Sequence, residues 1–368
     1  MKRLLLTILA LVAMTAGVQQ VKAQEAYAVY TSSNNTLTFY FDKQRSSHVG
    51  ETYDLNTGEN KPGWDSYVTK VVFDPSFANA RPTTTYYWFW SFTELESITG
   101  LSYLNTSEVI NMECMFMWCE KLTSLDLSNF NTAKVTDMYG MFMWCEKLTS
   151  LDLSNFNTAK VTDMSSMFQG CSSLTSLDLS NFNTENVTLM GNMFNECSSL
   201  TSIDLSHFNT SKVKDIGRMF GGCSSLTSLD LRSFNTSEVG FMYDMFENCS
   251  NLRTIYVGEG WSTAAVVNSK NMFDNCTSLV GGNGTRFDAS HTDKEYARID
   301  KPGQPGYFTA KGPKRGDANL DGVVDIADVV AVLNAMANDS NAPQFNVNGD
   351  SAVDIADVVA VLNIMAQQ

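Results

Sequence analysis

The chain has 368 residues, 43% of them hydrophobic and 18% charged, with a formal net charge of −15. That length suits two or three domains with ordinary buried cores. The acidic balance argues against nucleic acid as a partner, since phosphate would be repelled, and suits life outside a cell or cation binding.

The N-terminus reads as a processing signal. Lys2 and Arg3 precede an apolar run from Leu4 to Ala16, too short to span a bilayer comfortably. Val21-Lys22-Ala23 suits cleavage after Ala23, so residues 1–23 are expected to be a signal peptide and the mature chain secreted or at a bacterial cell surface. A membrane anchor is the other reading. No later segment reaches about 18 consecutive apolar residues, so no transmembrane span is expected in the mature chain.

Residues 24–85 are expected to form a β-rich cap. Thr36-Leu-Thr-Phe-Tyr-Phe and Val68-Thr-Lys-Val-Val-Phe read as strands between Gly, Asn and Pro turns. The run Tyr86-Tyr87-Trp88-Phe89-Trp90 reads first as the core of the cap junction, with a sugar-stacking platform as the alternative.

Internal repeats dominate the chain beyond this cap. In one copy, Met141-Phe142-Met143-Trp144-Cys145 leads into Leu148-Thr-Ser-Leu151-Asp-Leu153-Ser-Asn-Phe156-Asn-Thr158, then Val161 and Met164; copies begin at Met115, Met167, Met193, Met219 and Met245. Leu151 and Leu153 alternate with Asp152, as in a strand with one buried face. Phe142, Cys145 and Leu148 lie three apart, which suits a helical turn feeding that strand. One coil cannot bury these side chains alone, but stacked coils can. Cys119, Cys145, Cys171, Cys197, Cys223 and Cys249 recur every 26 residues and Cys276 follows after 27; only Cys114 is off the series. Such a column predicts buried thiols, because in-register stacking rarely gives disulfide geometry. Some disulfides remain the alternative, with Cys114–Cys119 the first pair to consider.

This order of residues resembles the BspA-like leucine-rich-repeat surface proteins of bacteria. The resemblance implies a leucine-rich-repeat solenoid of α/β type over residues 86–290, closed by a C-terminal cap and linker at 291–315. It also implies adhesion or partner binding without catalytic residues; the ligand, whether host, matrix or polysaccharide, stays open. Asp126, Asp152, Asp178, Asp204 and Asp230 form one exposed column, either a solvated face or a strip for a polar or basic ligand. The column Asn131, Asn157, Asn183, Asn209 and Asn235 reads as turn-forming.

Residues 316–368 hold two related segments, with Val-Asp-Ile-Ala-Asp-Val-Val-Ala-Val-Leu-Asn identical at 324–334 and 353–363. Each opens with oxygen-bearing residues at alternate positions: Asp317, Asn319, Asp321, Val323 through its carbonyl, Asp325 and Asp328; then Asn346, Asn348, Asp350, Ala352 through its carbonyl, Asp354 and Asp357. This is the ligand spacing of an EF-hand loop and predicts about two Ca²⁺ ions, the second site weakened by Asn346. A helix follows each loop, with Val329, Leu333 and Met336 at helical spacing. The duplicated loop–helix unit resembles type I dockerin modules, a small all-α calcium-binding fold. That resemblance implies calcium-dependent docking onto a cohesin-type receptor through Ile326-Ala327 and Ile355-Ala356. Catalysis is not expected: His48, His207 and His291 are scattered, and no phosphate loop or nucleophile elbow appears. A subunit of a polysaccharide-degrading assembly is the alternative function, and docking of the terminal module in cis a third reading.

Overall fold

The computed structural model describes residues 23–56, 60, 62–64, 67–310, 316–318, 324–338, 340, 343–348, 350 and 352–366. The expected signal peptide, apart from Ala23, lies outside these residues, as do Asn319, Asp321 and Val323.

Five strands close the N-terminal end: β1 (Glu25–Thr31), β2 (Thr36–Asp42), β3 (Glu51–Asp54), β4 (Lys70–Phe73) and β5 (Ser97–Thr99), in the order β3-β1-β2-β4-β5. The two runs predicted as strands become β2 and β4. β1 pairs antiparallel with β2 and β3, whereas β2–β4 and β4–β5 are parallel. β5 already belongs to the first repeat, so the sheet continues into the array and covers its open end. Phe39 is the hub of this junction, with its ring 4.6 Å from Phe73 and 5.2 Å from Trp88. Trp88 and Phe89 are fully buried, and the Trp88 indole N–H donates to Asn56 Oδ1 at 2.6 Å. This is the core role expected for the middle of the aromatic run.

From Thr84 onward the chain is a stack of coils in parallel register. Parallel bridges link Thr84, Asn111, Asp137, Asp163, Leu189, Asp215, Phe241 and Asn268, one per coil. Inside, Phe116, Phe142, Phe168, Phe194, Phe220, Phe246 and Phe273 stack at 5.6–6.0 Å between centroids, tilted by no more than 15°. The cysteines form the neighbouring column. All eight are free and buried, so the thiol ladder holds and Cys114–Cys119 is no disulfide. Each thiol of the series donates to the carbonyl of a phenylalanine in the preceding coil, as Cys171 does to Phe142 at 3.2 Å. Burial pushes the thiols up, that of Cys249 to about 12.

A second ladder was not foreseen. Thr106, Thr132, Thr158, Thr184, Thr210 and Thr236 are all buried. The Thr158 hydroxyl donates to the Asn183 carbonyl at 2.9 Å and accepts the Asn183 N–H at 2.8 Å, and the other coils repeat this lock. Each Asn side chain meanwhile accepts the N–H two residues on, as Asn157 does from Ala159 at 3.1 Å. The Asn column is therefore turn-forming, as read from sequence.

Two expectations for the coil require correction. No α-helix occurs in the repeats among the described residues, so the coils are not of α/β type. The Phe–Cys–Leu spacing of three reflects successive turns, with Cys119 N donating to Phe116 O at 3.1 Å and Leu122 N to Cys119 O at 3.2 Å. Between them, alternate N–H groups leave the coil: those of Cys114, Phe116 and Trp118 donate to Tyr139, Met141 and Met143 of the next coil. A helix would keep these bonds within itself. Left-handed residues, here Cys114 (φ 53°) and Trp118 (φ 62°), redirect the chain instead. The leucine segment, expected to be a strand in every coil, is a regular strand among the described residues only towards the two ends of the stack, in β5 and in β6 (Ser228–Leu231) and β7 (Thr254–Val257). Coil-to-coil hydrogen bonds concentrate on the turn side, while the leucines contribute burial: Leu151 and Leu153 lie inside and Asp152 outside. β8 (Phe308–Ala310) pairs with β7 and ends the sheet.

The interval of 27 residues has a local cause. Leu231 pairs with Val257, 26 residues on, yet Ser262 N donates to the hydroxyl of Thr236, 26 residues away where other coils show 25. The extra residue therefore lies between Val257 and Ser262. Gly258 and Gly260 absorb it, since a Cβ on either would sit 2.5–2.7 Å from the carbonyl oxygen of Arg232 or Phe234.

A second, separate core gathers Ala318, Val324, Val329, Val332, Val347, Val358 and Val361. It is built by α1 (Ile326–Ala337) and α2 (Ile355–Met365). No helix among the described residues is long and apolar enough to cross a membrane.

Candidate functional sites

The C-terminal module carries its acidic residues in an unusual balance. From Gly316 to Gln368 the sequence has eight Asp and no Lys, Arg, His or Glu. Three of those carboxylates, Asp317, Asp328 and Asp357, are buried. Asp325 and Asp354 cap the two helices through paired capping boxes. Asp325 accepts the Ala327 N–H at 2.7 Å while Asp328 accepts the Asp325 N–H at 2.8 Å, and Asp354 and Asp357 repeat this at 2.7 and 2.9 Å. Asp357 also accepts the Asn348 N–H at 2.9 Å, tying the start of its loop to its helix.

In the second loop Asn346, Asn348, Asp350 and Ala352 are hydrogen-bonded to one another, while Asp354 turns to its helix as a cap. The Asn348 amide donates to Asp350 Oδ2 at 2.7 Å, the Asn346 amide donates to the Asp350 carbonyl at 2.5 Å, and Asp350 accepts the Ala352 N–H at 2.8 Å. The donor set is entirely oxygen, drawn from carboxylates, amide carbonyls and backbone, which fits a hard cation such as Ca²⁺ and not zinc or copper. Burying carboxylates without a cation is costly, and this segment has no basic side chain to offset them. Asn346, Asn348, Asp350 and Asp357, with the Ala352 carbonyl, would hold the ion, and its charge would offset theirs. Of the first loop, Asp317, Asp325 and Asp328 are described. Among the described residues no group of three or more His, Cys, Asp or Glu gathers as a metal cluster, so Asp350, Asp354 and Asp357 of the second loop do not close as a set, and part of the first loop lies outside those residues.

Both helices present an apolar stripe to solvent. On α1 it comprises Ile326 (63% exposed), Val330 and Leu333; on α2, Ile355 (61%), Val359 and Leu362. The proposed contacts Ile326-Ala327 and Ile355-Ala356 lie at its exposed start. Leu333 belongs to this outer stripe and not to the buried face with Val329, because Val332 takes the inward position. Val330, Val359 and Leu362 were missed as surface residues, although the spacing 326–330–333 in the repeated string carries the signal.

Asp126, Asp152, Asp178 and Asp204 are exposed, one per coil. Each accepts the backbone N–H two residues on, at 2.9–3.1 Å. Bonds from the following serine, hydroxyl first at Asp126 and Asp152 and backbone first at Asp178 and Asp204, hold these carboxyls below their usual range. Asp230 ends the column differently, forked to Arg232 with both Oδ atoms 2.9 Å from Nε. A cavity of about 820 Å³ opens there, lined by Asp230, Arg232, Glu259, Ile299 and the Gly258–Gly260 turn that absorbs the extra residue. The column is thus brought into line, but it forms turns rather than a cleft. His207 stands in for the Asn of other coils, with Nε2 2.7 Å from the Leu179 carbonyl where Asn181 Nδ2 reaches Leu153 O at 2.9 Å.

Coils of this period, each placing two leucines inward from one segment and meeting the next coil in parallel register, define a leucine-rich-repeat protein. The family model described as "Mycoplasma protein of unknown function, DUF285" matches residues 85–200 and 169–285, together more than half of the chain, and the chain belongs to that family. No curated protein matches the sequence. Among solved structures, a leucine-rich repeat protein from Eubacterium ventriosum matches at 19% identity with a TM-score of 0.31, over 53% of this chain. The matched part spans 49% of that protein's length.

Proposed function

We propose that this chain is an exported, non-catalytic binding protein of the bacterial surface. Its repeats present a binding face, and its C-terminal module docks onto a cohesin-type receptor domain once calcium is bound. Membership in the DUF285 family and the resemblance to BspA-like surface proteins support a role in adhesion or partner binding. The observation that carries the docking reading is the twofold one: two helices identical over their first nine residues, each exposing the same Ile–Val–Leu stripe above a buried carboxylate. Apolar side chains held at regular helical spacing in water mark a surface that another protein covers. Because the halves match, either stripe serves as the contact.

Pull-down of the full chain by a panel of immobilised cohesin domains tests this. Retention by at least one cohesin in millimolar calcium, abolished by chelator, is expected. The single variants Ile326→Asp and Ile355→Asp should retain binding through the other stripe, and the double variant should lose it. Calcium-independent retention, or a double variant that binds as well as wild type, would overturn the reading.

A further inference from the structure

The turn side of the stack is chemically divided. In the first three coils its outward positions carry Tyr86, Tyr87, Trp90, Trp118, Tyr139 and Trp144, all half-buried. In the fourth coil the equivalent positions hold Ser165, Ser166, Gln169 and Gly170, and in the sixth Gly217, Arg218, Gly221 and Gly222. The rings form a continuous strip: Tyr86 to Tyr87 at 4.3 Å, Tyr87 to Trp90 at 5.7 Å, and Trp90 to Trp118 at 5.8 Å. Trp144 follows at the Trp118 position of the third coil and lies against Gly170, where a Cβ would sit 2.3 Å from the indole.

Folding does not explain this strip. Trp118 and Trp144 have φ of 62° and 59°, a left-handed backbone that bulky side chains rarely adopt. Later coils place Gly170, Glu196, Gly222, Asn248 and Asn275 at the same position, mostly residues suited to that conformation. Tryptophan where the backbone favours glycine or asparagine is a local conflict, and such conflicts collect at functional sites. The indole N–H groups of Trp118 and Trp144 also donate to no protein atom among the described residues.

From this arrangement we infer that the aromatic strip over the first three coils binds a neutral carbohydrate chain. Sugar rings offer C–H faces for aromatic packing and oxygens for the free indole donors. A peptide adding itself as a strand needs open backbone donors, and here those are consumed: Trp118 N–H donates to Met143 O and Trp144 N–H to Gln169 O. Charge excludes a polyanion. The chain carries −15, and the nearby Lys121 and Lys134 are paired with Glu94 and Glu108 at 2.5 and 2.6 Å. This inference rests on reading the repeats as a binding domain and names the ligand class they take.

Affinity electrophoresis of the full chain tests it, through gels containing hydroxyethyl cellulose, xyloglucan, galactomannan or soluble starch, with dextran sulfate as the polyanion. At least one neutral polymer is expected to retard the protein and dextran sulfate to leave it unretarded. The double variant Trp118→Asn, Trp144→Gly should bind about tenfold more weakly, roughly the loss of one or two aromatic contacts. It installs residues that other coils already use, so its Tm should not fall. Tyr243→Ser, on the polar half, should bind as wild type. No retardation by any of the four polymers, or equal retardation of the double variant, overturns the inference. So does selection of apolar peptides that bind through Trp118 when no polymer does. Cohesin retention by the same protein reports separately on the terminal module.

Discussion

The two cores solve the problem of buried polar groups in opposite ways. The repeat stack works between copies: the hydroxyls from Thr106 to Thr236 and the thiols from Cys119 to Cys276 each find a backbone partner in an adjacent coil. The C-terminal module works locally, its buried Asp328 and Asp357 accepting backbone N–H groups within their own capping boxes. It buries three carboxylates around a core of seven small side chains, in a segment without a basic residue. The first solution needs only more copies of the coil, whereas the second, on the calcium reading proposed above, draws on a cation from outside. One region is therefore expected to be constitutively folded and the other conditionally so.

Chelation should give the largest difference. Removing calcium is expected to unfold α1 and α2, because metal binding and folding are coupled in such modules. Among the described residues these are the only α-helices, so most of the helical circular dichroism should vanish while the main melting transition stays in place. A joint collapse would erase the contrast and favour docking of the module in cis. Next in size is Phe168→Ala, which removes a ring packed 5.9 and 5.8 Å from its neighbours. It should cost about 3–5 kcal/mol in the repeat transition and leave calcium titration unchanged. Thr158→Val keeps the shape but strands the Asn183 N–H and carbonyl, and should cost about 1–3 kcal/mol by denaturant unfolding.

The smallest effect belongs to the Asp column. These carboxyls lie below their unfolded range, so their contribution is complete above the unfolded carboxylate pKa and is lost as pH falls through the folded value. The Tm difference between wild type and Asp152→Ala should stay constant above about pH 5 and close below about pH 4. A difference that widened in acid would assign the column another role.

The period, the inward leucines, the thiol column and the paired acidic loops were legible because each leaves identical residues at fixed intervals. What escaped lay where one spacing serves two structures. Phe142, Cys145 and Leu148, three apart, suit a helical turn and a run of i→i+3 turns equally, and only the left-handed backbone at Trp144 separates them. Nothing in a tryptophan announces positive φ. Leu333 continues the spacing of Val329, yet Val332 packs inward and turns Leu333 to water. The Thr ladder was missed because each hydroxyl's partners lie 25 or 26 residues away, beyond the reach of local pattern reading.

The lock between Thr158 and Asn183 is the same as that between Thr132 and Asn157, so a coil cannot distinguish its natural neighbour from any other. Removing or duplicating a whole 26-residue unit rejoins matching halves. Unequal recombination within such a gene would thus yield arrays of different length that still close every bond, while a slip of one residue would need a new glycine turn like Gly258–Gly260 to absorb it. The number of coils is then a freely adjustable quantity, and the distance between the capped N-terminal end and the last coil changes with it in steps of one strand spacing, about 4.8 Å.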